Sequence, residues 1–157
     1  LELETFLQPT AQNISNANAE GWKTILRDYF LFTMVGFIAT PEETCFFYLG
    51  DGFICYNGKW VDLSSNNKPD YIAYNLLGDG EKRSIRSFKK TEGMEALLVA
   101  TDGFQTILEN TAAKLAFEKV LQQNKVFDTP VSLQQMILSQ FRDLILDDAT
   151  MIYGKVD

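Results

Sequence analysis

Three aspartates stand in one kind of place in this sequence. Asp51 leaves an apolar run in Gly50-Asp51-Gly52, Asp102 leaves another in Thr101-Asp102-Gly103, and Asp147 precedes a third in Asp147-Asp148-Ala149-Thr150. Carboxylates at strand ends are held by rigid backbone and can converge at one edge of a sheet, while a flanking glycine lets water, ligand or another backbone come close. Hard cations such as Mg²⁺ and Mn²⁺ want oxygen ligands of this kind, a few carboxylates plus waters and phosphate oxygens. Aspartate beside glycine is also ordinary turn chemistry. Each motif alone therefore reads as well as a turn, and only their recurrence points to a metal. Asp148 reads as a capping or turn residue. The sequence has no histidine, which removes the commonest general acid/base and the commonest transition-metal ligand. Proton transfer would have to use carboxylates, water or a segment outside this sequence, and no side chain here is assigned a catalytic role.

The composition narrows the class of protein. At 157 residues, 46% hydrophobic with 12 Phe and 6 Tyr, the chain has the makings of a packed core. The length predicts a single domain over residues 1–157. A formal charge of −7 argues against nucleic acid as a partner, because that affinity rests on clustered Lys and Arg. No apolar run reaches the roughly 20 residues that span a bilayer, and Leu1-Glu2-Leu3-Glu4 is no signal peptide. These features predict a cytoplasmic protein without membrane partners. Cys45 and Cys55 stand symmetrically about residue 50 and would face each other if the strands around it paired. In a cytoplasmic chain they read as reduced, small hydrophobes.

The elements that must position the aspartates follow from periodicity. Residues 1–18, rich in Asn, Gln, Ser and Thr, read as an irregular lead-in. Trp22, Ile25, Leu26 and Tyr29 share one helical face, with Asn16 or Asn18 as cap. Short β-branched and aromatic runs at 31–40, 44–49, 53–56 and 59–63 predict antiparallel strands, and Asn57-Gly58 predicts a primed hairpin turn. Residues 64–82 read as loop, with Glu81-Lys82-Arg83 and Lys89-Lys90 as solvated surface. Trp60 reads as a packing residue. Leu97–Ala100 predicts a buried strand. A helix is expected over 104–123 with Ile107, Leu108, Ala112, Leu115 and Val120 inward. Another starts near Ser132, which has capping-box spacing to Gln135, and buries Leu133, Met136, Ile137, Phe141 and Leu144. A last strand follows Thr150. Segregated helices and antiparallel strands predict an α+β layered fold.

In this order the motifs resemble the protein phosphatase 2C family, especially its divergent bacterial members. The resemblance runs from Phe30 to the C-terminus. It rests on Phe46-Phe47-Tyr48-Leu49-Gly50-Asp51-Gly52 with the Asn57-Gly58-Lys59 hairpin, on Leu97-Leu98-Val99-Ala100-Thr101-Asp102-Gly103, and on Asp147-Asp148-Ala149-Thr150 before an apolar strand. It implies part of an α-β-β-α sandwich, with Asp102 and Asp147 holding catalytic Mg²⁺ or Mn²⁺ and Asp51 helping to hold an additional, weaker ion. The implied activity is hydrolysis of phosphoserine and phosphothreonine in proteins by a metal-activated water.

The family's N-terminal motifs are absent: a phosphate-binding Arg and an Asp-Gly that bridges the metals, often followed by His. The chain is therefore expected to be the C-terminal portion of such a domain. Half a sandwich should leave exposed apolar surface or an unpaired sheet edge, through which a homodimer could form. The alternative is a catalytically inactive, phosphatase-like interaction module.

Overall fold

The computed structural model describes residues 3–15, 21–64, 70–78, 80–91, 93–122 and 130–155. In chain order the elements are α1 (Leu3–Ile14), α2 (Gly21–Tyr29), β1 (Met34–Ala39), β2 (Thr44–Leu49), β3 (Phe53–Tyr56), β4 (Lys59–Asp62), α3 (Tyr74–Leu77), β5 (Arg86–Lys90), β6 (Ala96–Ala100), α4 (Gln105–Glu109), α5 (Thr111–Gln122), α6 (Pro130–Phe141) and β7 (Met151–Lys155). Helices and two antiparallel sheets make it α+β, as the patterning predicts. By contacts the chain divides into two compact units, Leu1–Asp51 with Asp62–Gly93, and Gly52–Val61 with Met94–Asp157.

The first unit is built on the sheet β1-β2-β5. Phe46 lies opposite Phe37 on one side and Phe88 on the other, fully buried, with ring centroids 6.2 and 5.1 Å away. That cross-strand aromatic row fixes the register. Strand β5 falls where the sequence showed only charge. Its single large apolar residue is Phe88, and the lysines around it suit an outermost strand. A small core of Leu7, Ala11, Leu26, Leu49, Ile72 and Ala73 joins the helices. The expected irregular lead-in is thus largely a helix. Leu3, Leu7 and Ala11 recur at four-residue spacing and carry α1 through Pro9, where the Thr10 hydroxyl donates to the Phe6 carbonyl at 2.7 Å. Leu26 is buried in α2, but Tyr29 is 73% exposed rather than inward. The proposed caps Asn16 and Asn18 lie outside the described residues. The 64–82 stretch contains the one-turn helix α3, and Asn75 ties it down, donating to the Arg83 carbonyl and accepting from the Arg83 amide.

The second unit is built on the sheet β4-β3-β6-β7, with Phe53 opposite Ala100 and Ala100 opposite Met151. Asn57 (φ 47°) and Gly58 (φ 76°) make the primed turn between β3 and β4. Its core gathers Cys55, Leu98, Ala100, Phe104, Ile107, Phe117, Val120, Leu121, Ile137 and Phe141. Phe117 is its centre, 5.6 Å from Phe104 and edge-on to Phe141 at 5.7 Å. Trp60 packs on this core, its indole N–H donating to Glu118 at 2.8 Å. The single helix expected over 104–123 is broken. Asn110 turns extended (ψ 110°) and its side chain accepts from the Ala113 amide at 3.0 Å, capping α5 afresh. The break rotates the buried face, so Phe117 and Leu121 point inward while Ala112 and Leu115 are exposed. Helix α6 starts two residues before Ser132, which therefore lies inside it rather than at its cap. Burial pushes the Cys55 thiol up to about 11. Cys45 and Cys55 are both free, on strands of different sheets.

Ile38 on β1 and Ile152 on β7 are 62% and 57% exposed, each on the outermost strand of its sheet. Among the described residues, no helix is long and apolar enough to cross a membrane.

Candidate metal site

Strand β6 runs straight into the Asp102 turn, and the Asp147 turn runs straight into β7. Because β6 and β7 are paired neighbours, the two turns meet at one end of the sheet. The ladder extends past its last strand pair, with the Thr101 amide donating to the Thr150 carbonyl at 3.0 Å. Contact continues at Gly103, where a Cβ would lie 2.6 Å from the Asp148 carbonyl oxygen and 2.9 Å from the Ala149 Cα. Only glycine allows that approach, which explains the residue after Asp102 without any positive φ.

The result is a cleft of about 290 Å³ lined by Asp102, Gly103, Gln105, Thr106, Glu109, Leu146 and Asp147. Asp102 and Asp147, singled out from sequence, are therefore brought together, with both side chains exposed to solvent. Asp147 is preset by the Asp148 amide, which donates to its Oδ1 at 2.7 Å. Asp148, expected as a capping or turn residue, lies in the irregular stretch before β7 and contributes its amide to Asp147. Glu109 was missed by sequence reasoning. It sits at the end of α4, its Oε1 accepting from Gln105 four residues earlier at 2.6 Å. The spacing of seven residues from Asp102, two helical turns on, is the signal that could have found it. Leu146 is 78% exposed at the rim.

Asp51 belongs to the other unit. It follows Gly50 (φ 91°), and its Oδ1 accepts from the Thr33 hydroxyl at 2.7 Å. Of the basic residues read as surface, Lys89 pairs with Glu43 at 2.6 Å, which raises the lysine's pKa through that hydrogen bond and charge.

The cleft lining offers oxygen donors with no basic side chain among the described residues, so its donor chemistry fits a hard cation and disfavours an unaccompanied phosphate. Among the described residues, however, no group of three or more Asp, Glu or Cys is arranged to hold a metal. Asp102 and Asp147 would hold part of a coordination shell and leave the remainder to water or other ligands.

The family model described as Protein phosphatase 2C matches residues 1–137. The chain belongs to the protein phosphatase 2C family. The match begins at the first residue rather than near Phe30, so α1 and α2 are part of the family stretch, whereas the Asp147 turn lies beyond it. A comparison with curated proteins finds no sequence match. Among solved structures, a bacterial serine phosphatase carrying a point mutation is 16% identical with a TM-score of 0.58, covering 98% of this chain and 67% of its own. PppA, described as a key regulatory component of T6SS in Pseudomonas aeruginosa, is 14% identical with a TM-score of 0.54, covering 98% and 68%. The catalytic domain of the serine threonine protein phosphatase PstP, in complex with two manganese ions, is 10% identical with a TM-score of 0.51, covering 99% and 82%. These likenesses show the α+β fold of the phosphatase family. The chain spans about two thirds of the length of the bacterial serine phosphatase structures.

Proposed function

We propose that this chain is the C-terminal portion of a Mg²⁺- or Mn²⁺-dependent protein serine/threonine phosphatase. The observation that carries the reading is that Asp102 and Asp147, on two turns packed together through Gly103, line one cleft. Asp102 and Asp147 hold the cation, and Asp51 contributes to a further, weaker one. A divalent cation at such a site lowers the pKa of bound water and neutralises phosphate oxygens. The side chains around it have supporting roles. Glu109 adds negative charge to the cleft, deepening its attraction for a cation and repelling phosphate until that charge is compensated. Leu146 offers apolar contact to the peptide around a phosphoserine or phosphothreonine. The bridging Asp, the phosphate-binding Arg and any leaving-group acid would come from an upstream segment, in a cytoplasmic protein. The exposed edges at Ile38 and Ile152 are the surfaces on which upstream strands, or a second copy of the chain, would pair.

The test is Mn²⁺-dependent hydrolysis of a phosphopeptide and of p-nitrophenyl phosphate. The isolated 157-residue chain should show little turnover, since positioning of water and phosphate dominates phosphoryl transfer. A longer chain that adds an upstream Asp-Gly should be active and lose activity on Asp102→Ala or Asp147→Ala. Robust turnover by the isolated chain would refute the divided site. That no three carboxylates among the described residues are arranged to hold one metal ion favours a second reading, an inactive module that binds a phosphoprotein. Inactivity of the longer chain with every divalent metal would select it.

A further inference from the structure

Thr101 has no place among the cation's ligands in the reading above, yet its side chain touches the backbone of the Asp147 turn at three points. Its Oγ1 accepts from the Thr150 amide at 2.9 Å, and it faces the carbonyl oxygens of Asp148 and Thr150, each 3.5 Å away. Its own amide donates to the Thr150 carbonyl. We propose that Thr101 is a positioning residue: its hydroxyl pins the Asp147 turn to the Asp102 turn and thereby sets the affinity of the two carboxylates for a divalent cation. The inference rests on the metal reading of the cleft.

The physical case is one of preorganisation. Asp102 is the next residue in the chain, and Asp147 stands three residues before Thr150, so the bond from the Thr150 amide to Thr101 lies between the two carboxylates' attachments to the sheet. Gly103 lets the two turns pack this closely, because it carries no Cβ to meet the Asp148 carbonyl oxygen and Ala149. The hydroxyl prevents them from moving apart. With the turns packed closely and pinned together, the carboxylates enter the cleft in a set arrangement, and little ordering remains to be done when a cation binds. Valine keeps the shape of threonine but offers the Thr150 amide no acceptor. Serine keeps the acceptor and loses a methyl group.

Two measurements on the full 157-residue chain test this. In the first, Mn²⁺ is titrated by electron paramagnetic resonance into the wild type and into Thr101→Ser, Thr101→Val and Asp102→Ala. Loss of a group that orients metal ligands typically weakens binding about 10–100-fold, so Thr101→Val should fall in that range while Thr101→Ser keeps wild-type affinity. The second needs no variant. Hydrogen exchange at the Thr150 amide should slow when Mn²⁺ saturates the wild type, because a ligand that prefers the pinned turns must stabilise them reciprocally. Wild-type affinity in a folded Thr101→Val, or Thr150 exchange indifferent to bound Mn²⁺, overturns this inference and leaves the site reading intact. Wild-type Mn²⁺ binding that is absent, or unchanged in Asp102→Ala, overturns both. If Thr101→Val does not fold, as read from its thermal melt, the exchange measurement decides.

Discussion

Thr33 and Thr101 each stand beside an Asp-Gly turn, one in each unit, and use their hydroxyls in opposite ways. Thr33 spends its proton on the carboxylate itself, donating to Asp51. Thr101 spends its hydroxyl on the backbone of the neighbouring turn, beside the cleft that Asp102 and Asp147 line. The Asp51 carboxylate thus takes its bond from a side chain 18 residues away, whereas that of Asp147 takes one from the amide of the next residue.

The largest effect that could break this contrast is at the glycines. In Gly103→Ala the new methyl meets backbone atoms, the Asp148 oxygen and the Ala149 Cα, and neither can step aside cheaply. It should cost about 3 kcal/mol of stability in urea denaturation, at the upper end of ordinary overpacking, and weaken Mn²⁺ binding as the turns separate. Wild-type stability and Mn²⁺ affinity in this variant would show that the close packing of the turns is incidental.

A smaller change sharpens the contrast from the other side. Thr33→Val removes the donor to Asp51, and a hydrogen bond to a charged group in a partly buried site is worth about 1.5–3 kcal/mol. The loss should appear in stability while Mn²⁺ affinity at Asp102 and Asp147 stays as in the wild type. A drop in that affinity would mean that Asp51 and the cleft act as one site.

The smallest effect vanishes at neutral pH. Cys55 in the second unit has its pKa raised from 9.0 to about 11 by burial and by Glu118. Folding therefore favours the protonated thiol. Its contribution is complete below about pH 9, and stability declines as pH rises from 9.0 towards 11. The stability difference between wild type and Cys55→Ala, followed by denaturation at a series of pH values, should be flat up to pH 9 and shift against the wild type above it. A difference that stays flat to pH 11 would show that the thiol is not shielded.

What was legible in the sequence was what depends on neighbours along the chain. The Asn57-Gly58 turn, the run Leu97 to Ala100 and the aspartates that follow strands are local signals, and strand pairing then brings Asp102 and Asp147 to one end of the sheet. Strand β5 was not legible, because its place depends on Phe88 meeting Phe46 across a sheet while the rest of it is charged. Helix α1 was hidden by Pro9 and its polar residues, although Leu7 and Ala11 are almost fully buried. Glu109 escaped because the expected helix was drawn straight through Asn110, which obscured the short helix that carries it.

That break at Asn110 has a bearing on how such a protein can diversify. Had 104–123 been one continuous rod, any substitution that tilted its first turns would have levered Phe117 and Leu121 out of the core. With α5 capped anew at Asn110, the five residues of α4 form a separate piece that borders the cleft and contributes Ile107 to the interior. Gln105, Thr106 and Glu109 can therefore drift, and with them the electrostatic character of the cleft's wall, while the rest of the helix stays where selection for folding has put it. Sequence variation among relatives should accordingly be higher at these three positions than at Phe117 or Leu121, a divergence that leaves the scaffold untouched.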